Sequence, residues 1–301
     1  MRTTRNIFLT DLRITSVVLA IITALIQPTF AGILIDNATG SIDLEKYTSV
    51  GKLMAGNSTG SAVKIGDNWA LTAAHHVNGV DVNNLAFTIG GNTYTPTKVA
   101  IFEDSWGGNN NVGKDIALVQ FDVELVGVES AKLWSGDAVG MVGTNVGFGT
   151  KNNGSMGTKN AGNNMIDFTG ADMLADRSEK ILFQDFDSVA DSNYTGLYDK
   201  SLTSSDPLPL EYLISTGDSG GGLFVNYNGT DYLAGIHSFI LDMNNDGKSS
   251  YGDVAGSTSV AAYSDWIYNT TGISRPVPEP ASFALLGLGL AGIFFIRRKK
   301  A

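Results

Sequence analysis

The chain has 301 residues, and its 30 acidic against 20 basic residues give a formal net charge of −10. This charge argues against nucleic acid or an anionic lipid surface as a partner. With 36 glycines, seven prolines and no cysteine, the composition excludes a disulfide scaffold and favours an all-β protein with many turns.

The first 31 residues have the three parts of a secretory signal peptide. Three arginines are followed by an apolar run over 14–26, and the segment ends on the small residue Ala31. A retained membrane anchor is the alternative, but the run is short for a span. We therefore predict a signal peptide over 1–31 and a mature domain over 32–275.

Short strand patterns over 41–123 predict the first of two β-barrels. The predicted strands are 41–50, 52–65, 69–72, 85–89, 93–102 and 116–121. The run over 69–74 leads from a strand into a short helical turn that carries His75 and His76. Asp115 precedes another strand, and a carboxylate at a strand mouth can be held dry and ionised.

Residues 124–140 predict the connection to a second barrel over about 140–268. The stretch 147–164 is rich in Gly, Asn, Thr and Lys, which predicts a turn-rich loop. This loop either borders a substrate groove or is a solvated insertion. Helical periodicity returns only near 255–268.

Ser219 lies in the glycine-rich run 217–222. A serine hydroxyl becomes a nucleophile when an imidazole takes its proton, a buried carboxylate orients that imidazole, and backbone N–H groups receive the oxyanion. Gly217 and Gly220 permit a tight turn that exposes the hydroxyl. The order His, Asp, Ser therefore predicts a serine hydrolase. An α/β-hydrolase would need a histidine after the serine, and His237 follows without strand–helix alternation.

The segments around His75, Asp115 and Ser219 resemble the catalytic segments of the trypsin/chymotrypsin-like serine proteases. Further similar segments are 147–149, 235–239 and 260–267, so the resemblance covers about residues 50–268. It implies an all-β fold of two six-stranded antiparallel β-barrels with a short C-terminal helix. The implied activity is peptide-bond hydrolysis that requires no cofactor.

The resemblance also implies the role of each catalytic residue. His75, rather than His76, would be the general base, Asp115 would orient it, and Ser219 would be the nucleophile. The N–H groups of Gly217 and Ser219 would form the oxyanion hole. His237, on an apolar strand, is interpreted as a core or pocket-wall histidine.

The family resemblance assigns the substrate pocket to Leu213, Ser238, Phe239 and Ile240. Leu213 stands six residues before the nucleophile, where a charged residue would select Arg or Lys, and Ile240 narrows the pocket. We therefore expect small or medium apolar residues at P1. In this family a new N-terminus pairs its ammonium with the Asp before the nucleophile, which makes Ile33 and Asp218 candidates for such a pair.

The stretch 242–253 has the ligand spacing of an EF-hand calcium loop. Its candidate ligands are Asp242, Asn244, Asp246, Lys248 through its carbonyl, and Asp253. Asp and Asn clusters also build ordinary turns. A structural Ca²⁺ here would stiffen the loop that follows the predicted pocket wall.

The C-terminal tail over 276–301 begins with Val277-Pro278-Glu279-Pro280, continues with an apolar segment over 281–296, and ends in four basic residues. It resembles the PEP-CTERM sorting signal of Gram-negative bacteria, which implies transient membrane anchoring and removal by an exosortase. A simple C-terminal anchor is the alternative. The sequence thus predicts an exported serine endopeptidase, with a catalytically silent surface or matrix binding protein as the other interpretation.

Overall fold

The computed structural model describes residues 33–102, 113–173, 180–188, 207–247 and 249–275. The predicted signal peptide and the PEP-CTERM tail lie outside these ranges, and their boundaries stay predictions. Within the described ranges, no helix is long and apolar enough to cross a membrane. Of the described residues, those up to Ile267 form one compact unit, and Tyr268 begins a second.

The described chain begins with β1 (Ile33–Leu34) and then forms a seven-stranded antiparallel sheet in the order β6-β5-β2-β3-β4-β8-β7. Its strands are β2 (Val50–Ala55), β3 (Ser58–Gly66), β4 (Trp69–Thr72), β5 (Leu85–Ile89), β6 (Asn92–Tyr94), β7 (Lys98–Ile101) and β8 (Ala117–Gln120). Period-two alternation buries Leu85, Phe87 and Ile89 on one face of β5. These side chains join the core of the first barrel.

The second sheet has eight strands and runs β11-β10-β15-β16-β17-β13-β12, with β9 added in parallel to β16. Its strands are β9 (Lys132–Leu133), β10 (Val142–Gly147), β11 (Asn160–Met165), β12 (Phe168–Thr169), β13 (Ile181–Asp185), β15 (Gly222–Tyr227), β16 (Thr230–Leu241) and β17 (Val254–Ser259). β14 (Tyr212–Leu213) pairs with β1 in a separate two-stranded ribbon. The two predicted barrels are thus two curled sheets. Short strands such as β6, β9 and β12 raise the number of strands in each sheet above the predicted six.

Two segments differ from the predicted elements. The predicted strand over 41–50 contains a 3₁₀ turn, Leu44–Tyr47, because the Asp43 carboxylate caps it by accepting from the Glu45 N–H at 3.2 Å. The predicted loop over 147–164 ends in β11, which pairs with β10 along its whole length. Backbone pairing keeps β11 in the sheet although its side chains are mostly polar.

The helices of the described ranges are short. They are α1 (Ala74–Val77), α2 (Gly170–Met173) and α3 (Ser264–Thr271), with further 3₁₀ turns at Val82–Asn84 and Ala261–Tyr263. The helical region predicted over 255–268 therefore begins only after β17. The structure confirms a short C-terminal helix on a mostly β fold.

A β-bulge interrupts β16 beside the junction of the two sheets. His237 pairs with Ser257 and Phe239 with Gly256, so Ser238 is the additional residue of the bulge. A bulge redirects the side chain that it carries. At this position it turns Ser238 toward the first barrel.

Candidate active site

His75 lies on α1, directly after β4, and its ring contacts both other predicted catalytic side chains. Its Nδ1 is 2.6 Å from Asp115 Oδ2, and its Nε2 is 2.9 Å from Ser219 Oγ. The His75 backbone N–H also donates to Asp115 Oδ1 at 2.8 Å. The side chain is 26% exposed, so one part of the imidazole faces solvent.

Asp115 is fully buried at the start of the β8 segment and belongs to the first barrel. Two residues of the second barrel hold it. The Ser238 hydroxyl donates to Asp115 Oδ2, and the Thr258 hydroxyl donates to its carbonyl at 3.1 Å. The carboxylate itself contacts the His75 N–H, the His75 ring Nδ1 and the Ser238 hydroxyl. These three contacts keep the buried charge in one orientation.

Ser219 lies on a tight turn after β14. Ser61 of the first barrel holds this turn through two hydrogen bonds. The Ser61 N–H donates to the Ser219 carbonyl at 2.8 Å, and the Ser61 hydroxyl donates to the Gly217 carbonyl at 2.9 Å. Gly217 has a φ of +95° and Gly220 a φ of +82°. A Cβ at Gly220 would lie 2.1 Å from the Ser61 carbonyl oxygen, so only glycine fits there.

The turn that carries the nucleophile leaves two backbone N–H groups available. Among the described residues, the N–H groups of Gly217 and Ser219 donate to no other group. Two unpaired backbone N–H groups on one turn are the kind of donors that an oxyanion requires.

The other histidines have different partners. The Nε2 of the buried His76 is 3.0 Å from the Leu53 carbonyl oxygen, and burial lowers its pKa. His237 is fully buried, its Nδ1 lies 3.1 Å from Ser257 Oγ, and burial lowers its pKa to about 3. Only His75 contacts Ser219 among the described histidines, which removes the geometric basis for an α/β-hydrolase arrangement.

The four predicted pocket residues have different neighbours in the structure. Leu213 is fully buried and packs in one apolar cluster with the partly buried Ile240. Phe239 packs instead on Phe183 in a neighbouring cluster, with ring centroids 5.9 Å apart. The Ser238 hydroxyl donates to Asp115 Oδ2, and its place in the pocket wall stays a prediction.

Sequence reasoning missed Ser61 and the contact of Ser238 with Asp115. Both serines are buried in strands whose neighbours are largely apolar or glycine. A buried hydroxyl needs a hydrogen-bond partner, and this requirement is the signal that could have identified them.

Comparison with known proteins now gives the family. The trypsin family model matches residues 45–267, and a PEP-CTERM protein-sorting motif matches residues 276–299. The chain belongs to the trypsin family. A solved HL collagenase structure covers 80% of this trypsin-family chain and 100% of its own, with a TM-score of 0.57 and 18% sequence identity. That likeness shows the fold alone, and no curated protein matches.

The predicted calcium loop of this trypsin-family protein folds back on itself. Both Asp242 oxygens accept loop N–H groups, at 3.2 and 2.8 Å. Asp253 is fully buried and accepts from Met243 and Ser250 at 2.9 and 2.8 Å, and burial raises its pKa to about 7. In the described ranges no three His, Cys, Asp or Glu side chains form a metal site, and Lys248 lies outside those ranges. Calcium binding stays a prediction.

Calcium should raise the melting temperature if the loop binds it, because a ligand that binds only the folded state stabilises that state. We expect a rise of a few degrees in millimolar Ca²⁺, which excess EDTA reverses, measured by differential scanning calorimetry. The Asp242→Asn variant should lose this response. Identical melting curves in Ca²⁺ and EDTA would contradict the prediction.

A cluster of acidic side chains lies at the end of β13, away from the triad in sequence. Asp167, Asp185, Asp187 and Glu211 influence one another electrostatically, and Asp185 and Glu211 are almost fully buried. Burial raises the pKa of Asp185 to about 9 and that of Glu211 to about 8. Asp185 Oδ2 has no hydrogen-bond partner among the described groups.

This trypsin-family protein should become less stable as the pH rises from about 4 to 9. Unfolded carboxyls lose their protons near pH 4, whereas the folded state keeps the protons on Asp185 and Glu211 to higher pH, so folding is favoured at low pH. The Asp185→Asn variant should flatten this dependence and raise the melting temperature at pH 8.5 by about 3 °C or more. The exposed Asp67→Asn variant is the control, and an unchanged slope in Asp185→Asn would contradict the prediction.

Proposed function

We propose that the protein is an exported serine endopeptidase that hydrolyses peptide bonds through a Ser219–His75–Asp115 triad. One observation carries the proposal: a single imidazole lies 2.6 Å from a buried carboxylate and 2.9 Å from a serine hydroxyl on a glycine turn. The N–H groups of Gly217 and Ser219, which donate to no other group among the described residues, support it. A binding protein without catalytic activity would not require these features together.

The geometry accommodates acyl transfer step by step. Asp115 accepts the His75 Nδ1–H, which leaves Nε2 to take the Ser219 proton as the hydroxyl attacks the substrate carbonyl. The N–H groups of Gly217 and Ser219 bind the resulting oxyanion. His75 then returns the proton to the leaving amine, and a water activated by the same nitrogen hydrolyses the acyl-enzyme.

Export is part of the proposal, and the matched PEP-CTERM motif supports it. The signal peptide would direct the chain across the inner membrane, and the tail would hold it there until an exosortase-type protease removes it. The protein would then act in the periplasm, on the outer surface or in the extracellular matrix of a Gram-negative bacterium. Its partners are protein or peptide substrates, and no nucleic acid is proposed.

The alternative function is a silent binding protein on the same fold. It would bind a surface or matrix component without turnover, because fold alone does not determine activity. The intact contacts between His75, Asp115 and Ser219 favour the peptidase. The two functions differ in whether peptide bonds are broken.

Cleavage of an unbiased peptide mixture, mapped by mass spectrometry, tests the proposed function and its specificity together. We expect cleavage after small or medium apolar residues, because Leu213 and Ile240 make an apolar cluster beside the nucleophile turn. The Ile240→Ala variant should shift cleavage toward larger residues such as Leu and Phe, since it removes bulk without adding charge.

Two outcomes would contradict parts of this account. Strict cleavage after Arg or Lys would overturn the apolar pocket but leave the peptidase intact. Absence of cleavage by the folded, exported protein over the whole mixture would favour the binding protein.

A further inference from the structure

Asp218, the residue before the nucleophile, is a fully buried carboxylate whose donors are all neutral. It accepts from the Gly149 N–H at 2.8 Å, the Tyr212 hydroxyl at 2.9 Å and the Ser215 N–H at 3.0 Å. Within the described ranges no Lys, Arg or His lies within 4.0 Å of it. Burial raises the pKa of Asp218 to about 6, and these hydrogen bonds oppose that rise.

Among the described residues, Tyr212 is the only side chain from outside the 215–219 turn that binds this carboxylate. Its ring is buried in the apolar cluster that contains Leu213, and Asn160 hydrogen-bonds to its hydroxyl. Burial raises the pKa of Tyr212 well above its ordinary value, so the hydroxyl remains protonated. A bond from a hydroxyl to a buried carboxylate is among the stronger kinds of hydrogen bond in proteins.

The space around the Asp218 carboxylate is filled. A Cβ at Gly147 would lie 2.2 Å from its Oδ1, and a Cβ at Gly149 would lie 2.5 Å from its Cγ. Ile33 lies in β1 opposite Leu213, and the Ile35 N–H donates to the Glu211 carbonyl at 2.9 Å.

We propose that Tyr212 is the positioning residue of the oxyanion turn. The Tyr212 hydroxyl holds Asp218, and Asp218 lies between the two residues whose N–H groups receive the oxyanion. β1 pairs with β14, the strand that carries Tyr212. An ion pair between Ile33 and Asp218 stays a prediction.

The inference rests on the proposed peptidase function. It names a side chain outside the triad that acts on the reaction by holding the turn between Gly217 and Ser219.

The Tyr212→Phe variant of the exported protein tests the positioning role. We expect kcat for a cleaved peptide to fall about ten- to a hundredfold with KM changed less than about threefold, because the oxyanion forms only after binding. The control is Tyr94→Phe, which removes a hydroxyl that accepts the Val126 N–H in the first barrel. An unchanged kcat, or equal losses in the two variants, would overturn the role of Tyr212.

If wild type itself cleaves nothing and does not react with a fluorophosphonate, the proposed function fails first. An active wild type beside an unchanged Tyr212→Phe variant would overturn only the role of Tyr212, so the two failures are distinguishable.

Discussion

Replacing Ser219 with alanine should lower kcat by about 10⁶-fold while the protein keeps its fold and melting temperature within a few degrees. The reason is that Ser219 Oγ supplies the bond-forming atom, and it lies 2.9 Å from His75 Nε2. Residual activity would come from the N–H groups of Gly217 and Ser219, which the substitution leaves in place. Peptide hydrolysis by purified wild type and variant, compared under the same conditions, measures the effect.

Two adjacent histidines provide a matched control for this result. His75→Gln should lose about as much activity as Ser219→Ala, and the double variant should lose no more, because the residues act as one unit. His76→Gln should keep activity within about threefold, since His76 contacts the Leu53 carbonyl instead of the nucleophile. Losses in His76→Gln that match those in His75→Gln would contradict the assignment of the base.

Replacing Asp115 with asparagine should lower kcat by about 10⁴-fold, the second largest effect. An asparagine amide facing Nδ1 favours the tautomer whose Nε2 carries a hydrogen, and that nitrogen cannot take the Ser219 proton. The contacts of Asp115 with the Ser238 and Thr258 hydroxyls span the two barrels, so the side chain is held in place. Peptide hydrolysis measured from pH 6 to 9 reports the change.

The control for Asp115→Asn is Asp122→Asn, which changes an exposed carboxylate at the end of the β8 segment. We expect its activity to remain within about twofold of wild type. If Asp115→Asn retained more than about a tenth of wild-type kcat, Asp115 would not act as the orienting carboxylate.

The sequence was sufficient to predict the fold class and to select, from their local settings, three residues that the structure brings into contact. Strands such as β4 and β5 carry compact apolar or alternating patterns, and their boundaries agree with the predicted 69–72 and 85–89. His75, Asp115 and Ser219 each stand beside a strand or a glycine turn, and these local settings are visible without a structure. The order His, Asp, Ser along the chain then agrees with the trypsin family.

The remaining features depend on contacts between distant segments. The side chain of Ser238 reaches Asp115 because a bulge adds one residue to β16, and no local pattern reveals a bulge. In the sequence, Tyr212 has the pattern of an ordinary apolar strand residue. Only the structure shows that its hydroxyl binds the Asp218 carboxylate. β11 was missed because its polar sequence predicts a loop, whereas pairing with β10 determines its conformation.

The most direct test of the central claim is the reaction of the exported wild-type protein with a fluorophosphonate probe, followed by peptide mapping. A fluorophosphonate modifies a serine only when a neighbouring base activates it. We expect one probe per chain, attached to Ser219, and no labelling of Ser219→Ala or His75→Gln. A folded wild-type protein that remains unlabelled, or that is labelled at another residue, would contradict the proposal that Ser219 is an activated nucleophile.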